Sequence, residues 1–168
     1  MKRAAGFTII EVLSVIAIMA ILVSLAAPSM RDMIAGTRVK GAASDAFGSL
    51  IVARSEAIKR NGAVDVIPED ATNWALGWKV RAVGSTDDLS VVQAIPGGIT
   101  VTGPSDSVRY RGDGRLINTT TGALLAAEIA FTFYTAEFVH VPMRCIRIDP
   151  SGRPSVRQDK DSDRTNGC

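Results

Sequence analysis

Gly6-Phe7-Thr8-Ile9-Ile10-Glu11-Val12-Leu13 opens an apolar run that continues to Ala27. Within residues 7–27 the only ionisable side chain is Glu11. At about 1.5 Å of rise per residue, one helix of that length crosses the hydrocarbon core of a bilayer. A carboxylate near the start of such a helix costs roughly 2–3 kcal/mol or more unless it is paired, which makes Glu11 a functional candidate. The residues before the run are few and cationic (Lys2, Arg3) and end in a glycine. A secretory signal is cut after its hydrophobic segment and loses it. Here no small-residue cleavage signal follows the run, and the natural cut lies before it, between Gly6 and Phe7. The apolar helix then stays on the chain.

Beyond Pro28 the pattern turns amphipathic. Met30, Met33, Ile34, Ala43, Ala46, Phe47, Leu50, Ile51, Ala57 and Ile58 recur at three- and four-residue steps, with charged residues largely between them. The expectation is one long helix over residues 7–60, kinked or loosened near Pro28 and ended by Asn61-Gly62. Its first half would lie in the membrane, and its second half would offer an apolar stripe to a domain. Gly36, Gly41 and Gly48 each cost that helix up to about 1 kcal/mol, and either close packing or local melting would explain them.

After Asn61 the period drops toward two. Strands are expected over 63–67, 77–83, 89–95, 99–102, 107–111, 115–118, 128–135, 144–148 and 153–158, with Gly112-Asp113-Gly114 as a hairpin turn. Trp74 and Trp78 read as core or sheet-face residues. The architecture is α+β: a long helix whose distal half, residues 28–61, packs on an antiparallel sheet region of about seven or eight strands in residues 62–168.

The formal charge of +2 resides in the leader, because removing Lys2 and Arg3 leaves the remaining cations and anions equal in number. A neutral chain makes no global electrostatic case for nucleic acid. Two cysteines and a single histidine, His140, do not make a tetrahedral metal set, so no metal or other cofactor is expected. Nor is catalysis. His140 sits in Glu137-Phe138-Val139-His140-Val141, on either face of a strand, and no nucleophile triad or phosphate loop accompanies it.

Gly6-Phe7-Thr8-Ile9-Ile10-Glu11 resembles the G-F-T-L-[IL]-E box of the class III signal of type IV pilins and pseudopilins, with Ile9 where Leu is commoner. Leu50 to Arg60 carries Ala53-Arg54-Ser55-Glu56-Ala57, similar to the A-R-S-E-A segment that ends the long helix in the GspH/FimT/FimU group of minor pilins. Gly77-Trp78 and Cys145-Ile146-Arg147-Ile148-Asp149-Pro150-Ser151-Gly152-Arg153 resemble later segments of that group. The resemblance implies a pilin-like fold and a low-abundance subunit that primes or caps a filament near its tip. It implies a prepilin leader, residues 1–6, removed by the prepilin peptidase between Gly6 and Phe7, followed by N-methylation of Phe7. It implies that Glu11 pairs with a neighbouring subunit's Phe7 amine during assembly. The expected partners are other minor pilins or pseudopilins, the major pilin and the peptidase. The expected place is the bacterial inner membrane, crossed once by residues 7–27, with residues 62–168 in the periplasm. In that oxidising compartment Cys145 and Cys168 can form a disulfide, worth about 3 kcal/mol for a loop of this length.

The FimT branch includes DNA-binding pilins used in natural transformation, so DNA is the alternative partner. Its candidate contacts are Arg144, Arg147, Arg153 and Arg157, with Lys160 and Arg164 beyond them and Arg109, Arg111 and Arg115 as further candidates. Asp149, Asp159, Asp161 and Asp163 interleave with the tail's cations. The compact G-R-x-R signature is also broken, since Gly152-Arg153-Pro154-Ser155-Val156-Arg157 puts its second arginine two positions late. Arg111-Gly112-Asp113 reads as a hairpin tip, not an adhesion tripeptide, and Asn118-Thr119-Thr120 as an uninformative glycosylation sequon.

Overall fold

The computed structural model describes residues 6–159, leaving out the side chains of 26–28. Most of the leader, together with Lys160, Arg164 and Cys168, therefore lies outside the described residues. One helix, α1, runs over Ile9–Arg60. It begins two residues later than expected because Thr8 is its N-cap, in extended backbone, with its hydroxyl accepting from the Glu11 N–H. It ends as expected, although the left-handed residue is Asn61 (φ 47°), with Gly62 N–H bonded back to the Ala57 carbonyl. Between Ile9–Leu25 and Ser29–Arg60 the axis bends by 40°. The break spans residues 26–28 and so includes Pro28, which has no N–H to offer the turn before it. No single helix among the described residues is long and apolar enough to cross a membrane. The bent pair is, by length and composition.

The strands follow as β1 Val64–Pro68, β2 Trp78–Ala82, β3 Asp88–Val92, β4 Ile99–Thr102, β5 Val108–Tyr110, β6 Leu116–Ile117, β7 Ile129–Thr135, β8 Arg144–Ile148 and β9 Pro154–Gln158, with a short 3-10 helix at Trp74–Leu76. They form two antiparallel sheets, ordered β3-β2-β1-β5-β6 and β4-β7-β8-β9, rather than one region of seven or eight strands. The chain changes sheets after β3, through the loop that holds Pro96-Gly97-Gly98. Gly97 (φ +89°) takes a backbone conformation that L side chains rarely adopt, and a Cβ there would also crowd the Arg38 side chain.

α1 rests on both sheets, touching β1, β2 and β5 of the first and β7, β8 and β9 of the second. Alternation sorts the strand faces. Val64, Val66, Val80, Val108 and Tyr110 face the core from the first sheet, and Phe131, Phe133, Ile146 and Ile148 from the second. Trp74 joins the two, its ring edge-on to Phe131 at 4.8 Å and 6.3 Å from Trp78. Both indoles are buried and satisfied: Trp74 donates to the Pro104 carbonyl (2.8 Å), and Trp78 to Ser49 Oγ on the helix (2.9 Å).

The helix stripe differs from the expected one. Ala35, Val39, Ala42, Ala43, Ala46, Leu50, Ala53 and Ala57 are buried, whereas Met30, Met33, Ile34, Ile51 and Ile58 stay exposed. Alanines let the helix axis approach the sheets closely, and large side chains there would hold it off. Phe47 and Leu50 pack against the core, as their spacing suggested.

Arg54 clamps the arrangement. Its Nε donates to the Gly114 carbonyl in the β5–β6 turn (3.1 Å) and its Nη2 reaches the Ser151 carbonyl in the β8–β9 turn (3.5 Å), one turn from each sheet. Those turns nearly touch. A Cβ on Gly152 (φ +81°) would lie 2.0 Å from the Gly114 oxygen, so no other residue fits that position.

Candidate functional site

Two regions carry the residues singled out in the sequence, and they lie at opposite ends of the chain. At the first, Gly6, Phe7 and Thr8 precede α1 and are exposed. Thr8 and Glu11 form a reciprocal pair: Glu11 N–H donates to Thr8 Oγ1 (3.3 Å), and Thr8 N–H to Glu11 Oε2 (3.5 Å). The carboxylate also lies in the first turn, where the helix dipole favours negative charge. Glu11 is thus held at the helix start by a long, weak backbone contact. Thr8 was not among the expected site residues, although T-x-x-E before an apolar run is a legible capping signature. Downstream, the hydroxyls of Ser14 and Ser24 bond back to the carbonyls of Glu11 and Ile21, so they are satisfied without water. Every large apolar side chain from Phe7 to Leu25 is exposed, none below 48 %.

The second region is the β8–β9 hairpin. Cys145 stands opposite Arg157, and Arg147 opposite Ser155. Paired residues share a face, so Arg147, Ser155 and Arg157 point to one side, and Arg153 continues that row by alternation. Arg147, Arg153 and Arg157 line one polar groove together with Glu128 and Asp149. Arg144 is not brought to them. It lies on the other face of β8, in the row of Ile146 and Ile148. Glu128 sits 3.5 Å from Arg147. Asp149 accepts from the Ser151 hydroxyl (2.5 Å) and the Arg153 N–H (3.1 Å), and these bonds hold its carboxyl below the usual range.

Two of the further candidate cations are engaged elsewhere, and Arg115 shows only a backbone bond, its N–H donating to Asp113 (3.1 Å). Arg109 makes a two-pronged ion pair with the buried Asp65 (2.6 and 2.7 Å), which raises its pKa further. Arg111 pairs with Asp113 inside its own hairpin tip. His140 is exposed in the turn after β7 and not on a strand. No cluster of metal-ligating side chains occurs among the described residues. Cys145 is buried; its expected partner, Cys168, lies outside the described residues.

A long helix capped at Thr8, half bare and half laid on two antiparallel sheets, defines a pilin-like α+β subunit. The chain belongs to the type II transport protein GspH family: the family profile matches residues 42–154, more than half the sequence, and the prokaryotic N-terminal methylation motif matches residues 1–27. Its fold is similar to that of the type IV minor pilin FimU of Pseudomonas aeruginosa strain PAO1. That match has a TM-score of 0.59 at 20 % identity and covers 76 % of this chain and 92 % of the other. It is also similar to the minor pseudopilin EpsH from the type 2 secretion system of Vibrio cholerae, with a TM-score of 0.52 at 10 % identity, covering 72 % and 97 %. No curated protein sequence matches it significantly. The chain is a minor pilin or pseudopilin of this family.

Proposed function

We propose that this chain is a non-catalytic subunit that primes or caps filament assembly near the tip of a type IV pilus or type II secretion pseudopilus. The observation that carries the reading is the helix of two characters: wholly uncovered apolar side chains up to Leu25, then a stripe buried under a family domain. In this reading the peptidase cuts between Gly6 and Phe7 and methylates the new Phe7 amine. Residues 7–27 hold the subunit in the bacterial inner membrane until assembly, with the sheets in the periplasm and a Cys145–Cys168 disulfide closing the C-terminal segment. On assembly the apolar helices bundle. Glu11 then exchanges the weak Thr8 N–H for a neighbour's Phe7 amine, so a charge that is costly in lipid sets the register between subunits.

A tagged copy recovered from membranes tests this. Wild type should bring down other minor pilins, or secretion pseudopilins, while Glu11→Ala should recover them at least about tenfold less, the loss of a charge-assisted pair. Equal recovery by Glu11→Ala would sink the role given to Glu11. A second reading, DNA capture, is favoured only by the shared groove of Arg147, Arg153 and Arg157. Glu128 and Asp149 in the same groove weigh against it.

A further inference from the structure

Among the described residues β9 is the outer strand of its sheet. The Asp149 N–H donates to the Arg153 carbonyl (3.3 Å) and the Asp159 N–H to the Met143 carbonyl (3.1 Å). Residues 153, 155, 157 and 159 therefore turn their main-chain groups toward β8, and 154, 156 and 158 turn theirs outward. Pro154 has no N–H. Among the described residues nothing pairs with this edge, which thus offers the N–H groups of Val156 and Gln158 and the carbonyls of all three residues.

The side chains beside this edge carry a matching charge pattern. Arg153, Ser155 and Arg157 are exposed on one face. Arg147 is partnered by Glu128, and Asp149 is committed to its own turn. Arg153 and Arg157 make no ion pair among the described residues; Arg153 lies close enough to Asp149 to help hold that carboxyl down, and Arg157 carries the less engaged charge. Four residues of strand separate them, about 13 Å.

We propose that this edge takes an extended acidic segment of a neighbouring protein subunit as an added strand, with carboxylates four residues apart standing opposite Arg153 and Arg157. Strand addition supplies main-chain hydrogen bonds for affinity, and alternate side chains supply selectivity. A nucleic acid fits less well. Its phosphates are continuous, so Glu128 and Asp149 would oppose some of them, and it makes no use of the Val156 and Gln158 edge. The subunit reading above enters only in saying where such a strand comes from, and peptide binding tests the surface independently of it.

The experiment uses the full chain in detergent micelles and short fluorescent peptides in a Thr/Val background. One peptide carries two Glu residues four apart, a second carries them three apart (on opposite faces), and a third carries Lys in place of Glu. The four-apart peptide should bind about tenfold or more tighter than the other two, the difference expected from one or two charge-assisted contacts. That preference should vanish in R153A/R157A, whose exposed positions leave the fold intact. N-methylating alternate peptide nitrogens should weaken binding by a similar factor, since the added strand loses its main-chain donors. Absence of binding, equal affinity for the two Glu spacings, or indifference to N-methylation would each overturn the proposal. So would duplex DNA that displaces the peptide with the same arginine dependence and a steep loss of affinity with salt, which would make the surface one for nucleic acid.

Discussion

The two halves of α1 have the same backbone and opposite surroundings. From Ile9 to Leu25 the helix carries Ile, Val, Leu and Met all round, and none of them is covered by the chain itself. From Ala35 to Ala57 the side chains turned to the sheets are mostly alanines, and they are almost fully buried. Large apolar residues without a covering layer need another apolar medium, either lipid or neighbouring helices. Small residues under a covering layer let the layer come close. Hydrophobicity alone would have ranked the first half as the better core; contact shows the reverse.

Core truncation should separate the halves most strongly. Leu50→Ala removes a side chain only 1 % exposed and should cost about 2–5 kcal/mol of domain stability, whereas Leu22→Ala should leave it unchanged. Trp74 and Trp78 are the protein's only tryptophans and both are buried in the domain. Their fluorescence in a urea titration of the micelle-bound chain therefore reports the second half alone. Comparable shifts from the two substitutions would mean that the halves fold as one unit.

A smaller effect sharpens where the second half is held. Arg54→Ala loses two bonds, one to each sheet's turn, and should destabilise the domain by about 1–3 kcal/mol. Arg54→Lys keeps the charge but cannot fork, and should recover less than half of the loss. Full recovery by lysine, read from the same titration, would show that charge matters there and not the fork.

The smallest effect is on pH dependence. The Ser151 hydroxyl and then the Arg153 N–H hold the Asp149 carboxyl below its ordinary value. A depressed carboxylate contributes stability that is fully present above its unfolded pKa and is lost as pH falls through the folded one. The β8–β9 turn should therefore be indifferent to pH from neutrality to about 5 and loosen below about 4. Amide protection at Arg153, the exchange rate taken relative to its intrinsic value at each pH, should fall there in wild type, and Asp149→Asn should remove that acid response while leaving protection in the first half of α1 unchanged. A response that survives Asp149→Asn would assign it to another group.

Much of this fold was legible as local pattern. The apolar run, the isolated Glu11, the stop at Asn61-Gly62 and the hairpin tip at Gly112-Asp113-Gly114 each depend on residues within a few positions of one another. Thr8 belongs with them, since its cap on Glu11 spans three residues and was there to be read. The burial of Trp74 and Trp78 also followed from type and setting.

What the sequence by itself determined, then, is the long apolar helix and its bend near Pro28, the chemistry of its first turn, the strand periods and the α+β class. These are set by neighbours along the chain and by the two periods of 3.6 and 2. Only the tertiary structure decided that the strands divide into two sheets, that alanines and not Met30, Met33 and Ile34 form the buried stripe, and that Arg144 faces away from Arg147 and Arg157. It alone decided that Arg54 reaches carbonyls 60 and 97 residues further on. Register explains why: a slip of one residue would exchange the two faces of β8 and β9, and only pairing across the sheet selects between them.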